Sequence, residues 1–233
     1  MTSLDALPIK IPRNIKLIIF DCDGVLIDSE VISQRVLLRM LKILGANVSP
    51  DYFNANFLGY SFDHVKNKIL SDFSVTLPSN FSEHYQQVLL DEFATELTPT
   101  DQLSWMLIQM NVPYCVATSS SPQRTKRALS ITQLAHYFPN SIFTASEVEK
   151  GKPAPDLFLH AAKKMNVPPE NCLVIEDSPA GIQAAQTANM HIIHYKGASH
   201  IHSKTSTLDG VTTITHWRQL FELAPWLSST FEH

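Results

Sequence analysis

The sequence predicts an α/β protein: a Rossmann-like parallel sheet with helices on both faces, plus an inserted α-helical cap subdomain. Three observations carry that expectation. From residue 101 onward, short apolar runs rich in β-branched residues alternate with amphipathic stretches, the pattern of βα units in a parallel sheet. Between residues 30 and 99, by contrast, only helical patterns occur. Finally, the runs at 17–20 and 172–175 each end in closely spaced acids, "FDCDG" and "IEDSP". An open parallel sheet binds its ligands at that edge, beyond the carboxyl ends of its strands.

The elements follow in chain order. The first strand is 17–20, "LIIF". In "ISQRVLLRMLKILG" the pairs Val36/Leu37, Met40/Leu41 and Ile43/Leu44 recur at helical spacing, and Gly45 marks the stop. Further helices are expected over 63–70 and 82–93. This segment is far longer than an ordinary connection, so residues 1–29 and 100–233 are assigned to the α/β core and 30–99 to a helical cap. Helices at 101–110, 122–129, 156–165 and 179–188 then alternate with strands at 114–117, 141–144, 172–175, 191–195 and 211–214. Ser121-Pro122 and Ser178-Pro179 read as N-caps with proline at the first helical position. Asp156 is the expected cap of the helix it precedes.

Composition narrows the function. With 18 basic and 22 acidic side chains in 233 residues, the net charge of −4 offers no nucleic-acid surface and no polybasic membrane patch. No apolar run approaches membrane-spanning length, and "MTSLDALPIKIPRN" lacks the form of a signal peptide. Cys22, Cys115 and Cys172 are an odd set without metal-site spacing, each in or beside an apolar run. They read as reduced core thiols of a cytoplasmic protein. No nucleic-acid, membrane or obligatory protein partner is expected.

The strand ends carry the chemistry. Strand geometry would place Asp21 and Asp23 on one side, with Cys22 opposite. Two close carboxylates repel unless a cation or a shared proton intervenes, although Asp-Gly also makes a plain turn. Thr118, Ser119 and Ser120 lie just before a helix N-terminus, where free amides and the helix dipole favour a phosphate. Lys152, between Gly151 and Pro153, supplies a positive charge after the third strand. Glu176 and Asp177 repeat the acid pair after the fourth, and magnesium sites recruit oxygen ligands from separate segments in this way. Individually each feature is ambiguous. As an ordered set they converge on one pocket.

With "DCDGVLIDS", "ATSS", "GKPAPD" and "EDSPAG" in that order, the chain resembles the haloacid dehalogenase superfamily, within it the phosphatases grouped with β-phosphoglucomutase. The stretch 136–190, from "HYFPN" to "QTANM", is especially similar to the bacterial 6-phosphogluconate phosphatases. The resemblance implies an Mg²⁺-dependent hydrolase of a small phosphorylated metabolite, a sugar or sugar-acid phosphate. Asp21 would be the nucleophile that forms an aspartyl-phosphate, and Asp23 the acid and base. The metal would be held by Asp21, the backbone carbonyl of Asp23 and Asp177, with Glu176 close enough to contribute. Thr118 and the amide of Ser119 would bind phosphate oxygens, and Lys152 would offset their charge. Gly24 would make the tight turn, and Asp28 and Ser29 would position the linker to the cap.

Neighbouring activities separate on single residues. Dehalogenases of the superfamily lack the second aspartate, which Asp23 supplies here. A β-phosphoglucomutase-type phosphomutase is the alternative, but Ser33 and Phe62 stand where its cap histidine and phosphate-gripping arginine would be. Receiver domains, non-turnover phospho-aspartate switches, lack both an Asp23 equivalent and the cap. For substrate choice the cap candidates are Gly59 and Tyr60 in the 58–60 loop, with His64, Lys66 and Lys68 beside it. His191, His194, His200 and His202 read as surface and core histidines, since no cysteine or carboxylate joins their spacing.

Overall fold

Residues 11–200 and 210–229 are described by the computed structural model. Strands β1 (Leu17–Phe20), β2 (Tyr114–Thr118), β3 (Ile142–Thr144), β4 (Cys172–Glu176), β5 (His191–Tyr195) and β6 (Thr212–Ile214) form one sheet in the order β3-β2-β1-β4-β5-β6. Every pairing is parallel. From β1 the chain winds outward to β3, then returns to place β4 on the other side of β1. That reversal opens a crevice at the carboxyl ends of β1 and β4, where Phe20 pairs with Ile175 and Asp21 stands beside Glu176.

Strand periodicity divides the core. Ile18, Phe20, Val116, Leu173 and Ile175 face one apolar cluster, and Leu17, Ile19, Cys115, Ala117, Cys172 and Val174 face the other. Helices α7 (Asp156–Lys164) and α8 (Pro179–Thr187) bury Leu157, Phe158, Ala161, Ala184 and Ala185 in the second cluster. On the opposite face α5 (Leu103–Gln109), α6 (Pro122–Ile131) and α9 (Arg218–Leu223) contribute Met106, Leu129 and Leu220 to the first. Central strands buried on both sides explain why these runs read as continuous rather than alternating apolar.

Four helices stand between β1 and β2: α1 (Glu30–Ile43), α2 (Pro50–Asn56), α3 (Phe62–Phe73) and α4 (Phe81–Glu96). Their apolar residues, Val36, Leu41, Ile69, Leu89 and Phe93 among them, join the first cluster. On the outside Arg35 bonds Glu92 and Glu96 at 2.8 Å each, and Arg39 bonds Glu92 at 2.9 Å, tying α1 to α4. The two connections to the sheet run side by side. The amide of Asp28 donates to Thr98 O, and that of Thr100 to Leu26 O, both at 3.0 Å.

One helix went unread in the sequence and one expected cap needs correction. Helix α2 carries no legible period because "PDYFNAN" spans only seven residues; its signal is the Ser49-Pro50 cap, whose hydroxyl accepts from the Tyr52 amide at 3.1 Å. Asp156 is the first residue of α7, not its cap: Pro155 occupies that position without a side-chain bond. By contrast Ser121 and Ser178 do cap α6 and α8, accepting from the amides of Arg124 and Gly181. His202 lies outside the described residues. Among those described, no helix is long and apolar enough to cross a membrane.

Trp217 links three parts of the core. It is fully buried, stacks on Tyr195 with ring centroids 4.3 Å apart, and meets Phe20 edge-on at 5.9 Å. Its Nε1 donates to Thr100 Oγ1 at 3.1 Å, which itself donates to Val25 O at 2.7 Å. Trp217→Ala is therefore expected to lower stability by about 3–5 kcal/mol. A urea titration would show this as an earlier midpoint with an unchanged slope.

Candidate active site

The crevice is a cavity of about 350 Å³ walled by the strand ends below and by α1–α4 above. On its floor, buried Asp21, Glu176 and Asp177 bring carboxylate oxygens within 4.8 Å of one another. Lys152 enters from the loop after β3, its Nζ 2.5 Å from Asp21 Oδ1 and 2.8 Å from Glu176 Oε1. It also lies over the Phe158 ring, 4.8 Å from the centroid. Burial opposes the lysine's charge, but Asp21 and Glu176 outweigh it and hold the ammonium above its ordinary pKa. One ammonium does not balance three acids. Burial, despite Lys152, drives the Asp21 carboxyl well above the usual carboxylate range; burial and neighbouring Glu176 do the same to Asp177.

The donor set fits a hard divalent cation, which prefers oxygen ligands. Asp177 Oδ2 is buried without a hydrogen bond. A Cβ on Gly24 would stand 2.1 Å from that oxygen, so the glycine keeps the space beside it clear. Glu176 is less available: Oε1 serves Lys152, and Oε2 accepts from the Ser178 amide at 2.6 Å.

Asp23 lives elsewhere. As expected it and Asp21 both line the cavity, while Cys22 turns into the core. The Asp23 carboxylate, however, does not join the acid cluster. It accepts from Ser29 Oγ and Ser120 Oγ at 2.6 Å each and pairs with Arg124 Nη2 at 2.7 Å. Ser29 thus serves Asp23, while Asp28 accepts from Ser199 Oγ at 2.9 Å. Thr118 is buried, with its Oγ1 accepting from the Ser120 amide at 3.1 Å. Ser119 Oγ faces the Gly59 carbonyl at 3.5 Å.

A family model of haloacid dehalogenase-like hydrolases matches residues 15–189. The chain belongs to this family. It stands there among phosphatases: it is 32% identical to the 6-phosphogluconate phosphatase of Escherichia coli over 90% of this chain and 94% of the relative. A probable pseudouridine-5'-phosphatase of Drosophila melanogaster is 30% identical over 79% and 83%. A crystal structure of a haloacid dehalogenase-like protein of unknown function from Agrobacterium tumefaciens superimposes with a TM-score of 0.77, at 31% identity, over 91% and 98% of the two chains.

In this haloacid dehalogenase-like chain the upper wall corrects the sequence reading. Gly59 and Tyr60 line the cavity, but Lys66 and Lys68 do not. Within α3, Val65 and Ile69 face the core, so the lysines between them point away. Lys66 borders a separate surface cleft, and Lys68 pairs with Asp72 at 2.7 Å. His64 supports the loop indirectly, stacked on Tyr60 at 4.2 Å with Nε2 3.2 Å from Asn56 O. His194 is a core histidine, its Nε2 3.1 Å from the Asp177 carbonyl. His200 is not a surface residue: its Nε2 comes within 3.1 Å of Asp177 Oδ2, close in distance but without hydrogen-bond alignment.

Sequence reasoning passed over Arg124 and Glu30, both in the cavity wall. Arg124 was findable, since the third residue of a helix opening on a phosphate-type loop lies beside that loop. Glu30, the first residue of α1, keeps part of its surface open, yet its carboxyl is deep enough that burial, reinforced by Asp23, lifts it to about 8.

Two expected outcomes follow. Between about pH 4.5 and 8 the unfolded chain releases the Glu30 proton while the folded chain keeps it, so this group subtracts stability as pH rises. The melting advantage of Glu30→Gln over the parent, measured with chelator present, should therefore grow from pH 5 to pH 9, about 2–4 °C for each kcal/mol relieved; a pH-independent difference would contradict the assignment. Gly59 has φ +78°, and a Cβ there would stand 2.4 Å from Ser178 Oγ. Gly59→Ala should lift the loop and lower kcat/KM by about 10–100-fold, and the left-handed backbone should lower the melting temperature by about 2–4 °C for each of the roughly 1–2 kcal/mol of strain.

Proposed function

We propose that the protein is an Mg²⁺-dependent phosphomonoester hydrolase of a small sugar or sugar-acid phosphate, such as 6-phosphogluconate, working through an aspartyl-phosphate. The observation that carries this reading is the separation of two aspartates: Asp21 with the acid cluster and Lys152, Asp23 with hydroxyls and Arg124. The bound ion would supply charge neutralisation and orientation of the phosphoryl oxygens.

Asp21 Oδ1 is held by Lys152, which leaves Oδ2 to attack phosphorus. As the phosphorus–oxygen bond to the leaving group breaks, Asp23 donates a proton to the departing alkoxide. Asp23 then removes a proton from water, whose oxygen attacks the aspartyl-phosphate and releases inorganic phosphate and the Asp21 carboxylate. Thr118 and the Ser119 amide would hold phosphoryl oxygens at the mouth of α6, and Lys152 would offset their charge. The helices at 30–99 would act as a cap, seating the Gly59 loop to exclude water.

The phosphomutase reading meets Phe62, which stacks between Phe81 and Tyr85 at 6.2 and 6.1 Å where a cation would be needed. Phosphate release from a panel including 6-phosphogluconate, hexose and pentose phosphates, glycerol phosphate and nucleotides tests the proposal, with and without Mg²⁺. Asp21→Asn should abolish magnesium-dependent release. Conversion of β-glucose 1-phosphate to the 6-phosphate without release would favour the mutase instead.

A further inference from the structure

Among the described residues the cavity is lined by two permanent cations, Lys152 and Arg124. Lys152 is committed to Asp21 and Glu176 at the reacting end. Arg124 is not fully used. Its side chain is only 13% exposed, and its Nη2 bonds Asp23 at 2.7 Å and Ser33 Oγ at 3.3 Å. Its Nε is buried without a partner. No hydrogen bond from Nη1 occurs among the described residues. Buried guanidinium N–H groups are normally satisfied, because leaving them unpaired costs free energy.

Asp23 alone does not account for this placement. Ser29 and Ser120 already hold both of its oxygens at 2.6 Å. The guanidinium instead lies over the Phe93 ring, 5.5 Å from the centroid, and borders the part of the cavity walled by Ser33 and Tyr85 from the cap helices. Tyr85 is itself fixed by a 3.4 Å bond to Ser33 O. Arg124 therefore spans core and cap, meeting Asp23 on one side and Ser33 on the other.

We infer that Arg124 is the specificity residue of this site, binding a carboxylate on the far end of the phosphorylated substrate. The inference rests on the phosphatase reading and names the feature that selects the substrate. With Nη2 donating to Asp23 and Ser33, Nη1 is the group that offers a charge-assisted bond to the carboxylate. One guanidinium, shared with Asp23, balances a single added negative charge better than the double charge of a second phosphoryl group. The outward-pointing cap lysines leave that role to Arg124.

A matched pair of ligands isolates the far-end charge: 6-phosphogluconate ends in a carboxylate, and glucitol 6-phosphate carries a neutral hydroxymethyl there. Affinities for both are measured by calorimetry in the Asp21→Asn background, which removes turnover, and phosphate release is followed with Asp21 intact. The parent should prefer 6-phosphogluconate by about 10–100-fold, the range of a charge-assisted hydrogen bond. Arg124→Gln should collapse that ratio toward one, and Arg124→Lys should restore part of it, with melting temperatures reporting that each variant is folded. Equal parent affinities, no binding of either ligand, or a ratio that survives Arg124→Gln overturns the inference. Preferential binding without phosphate release by the Asp21 enzyme would instead retain Arg124 as the carboxylate site and overturn the phosphatase reading.

Discussion

An ammonium buried between carboxylates from two strand ends is the interaction on which the rest of the candidate site depends. Lys152 reaches both Asp21 and Glu176, and each of these charges would be costly in the interior alone. Their mutual placement requires β1 and β4 to be neighbours with their carboxyl ends level, which the reversal of strand order provides. Residual negative charge around Asp177 then leaves an oxygen-lined position suited to a hard cation.

From that anchor the two halves of "DCDG" acquire different environments. Asp21 continues the line of β1 into the acid cluster, whereas the turn at Gly24, with φ +77°, carries Asp23 toward the mouth of α6. Proximity in sequence thus becomes chemical contrast. One carboxyl sits against an ammonium and two acids; the other sits against two hydroxyls and a guanidinium. Pairs of acids whose surroundings differ in this way are the usual basis for dividing nucleophile from acid–base duties.

The helices between β1 and β2 are joined to the sheet by paired connections and by shared apolar packing. They approach the strand ends through Gly59, whose missing side chain lets the loop rest on Ser178. Polar reach from above comes from Glu30, Ser33 and Tyr85 rather than from exposed lysines. The upper wall is consequently uncharged over much of its area, and Arg124 from the sheet side supplies the positive charge.

The sequence by itself determined the layer architecture and the floor of the site. Apolar runs buried on two faces and acids at strand ends are local patterns with one economical arrangement, so Asp21, Asp23, Lys152, Glu176 and Asp177 were legible as a set. Hydroxyls between a strand end and a helix N-terminus, Thr118 and Ser119, were legible for the same reason. The short α2 escaped because about two turns establish no period. Lys66 and Lys68 misled because nearness in sequence to the 58–60 loop says nothing about which way α3 turns. Arg124, Glu30 and the approach of His200 to Asp177 depended on where separate segments meet: α6 against α1 and α4, and residue 200 against β4. Local residue patterns record burial and helix caps, whereas side-chain partners a hundred residues apart are settled only when the sheet closes and the helices pack over it.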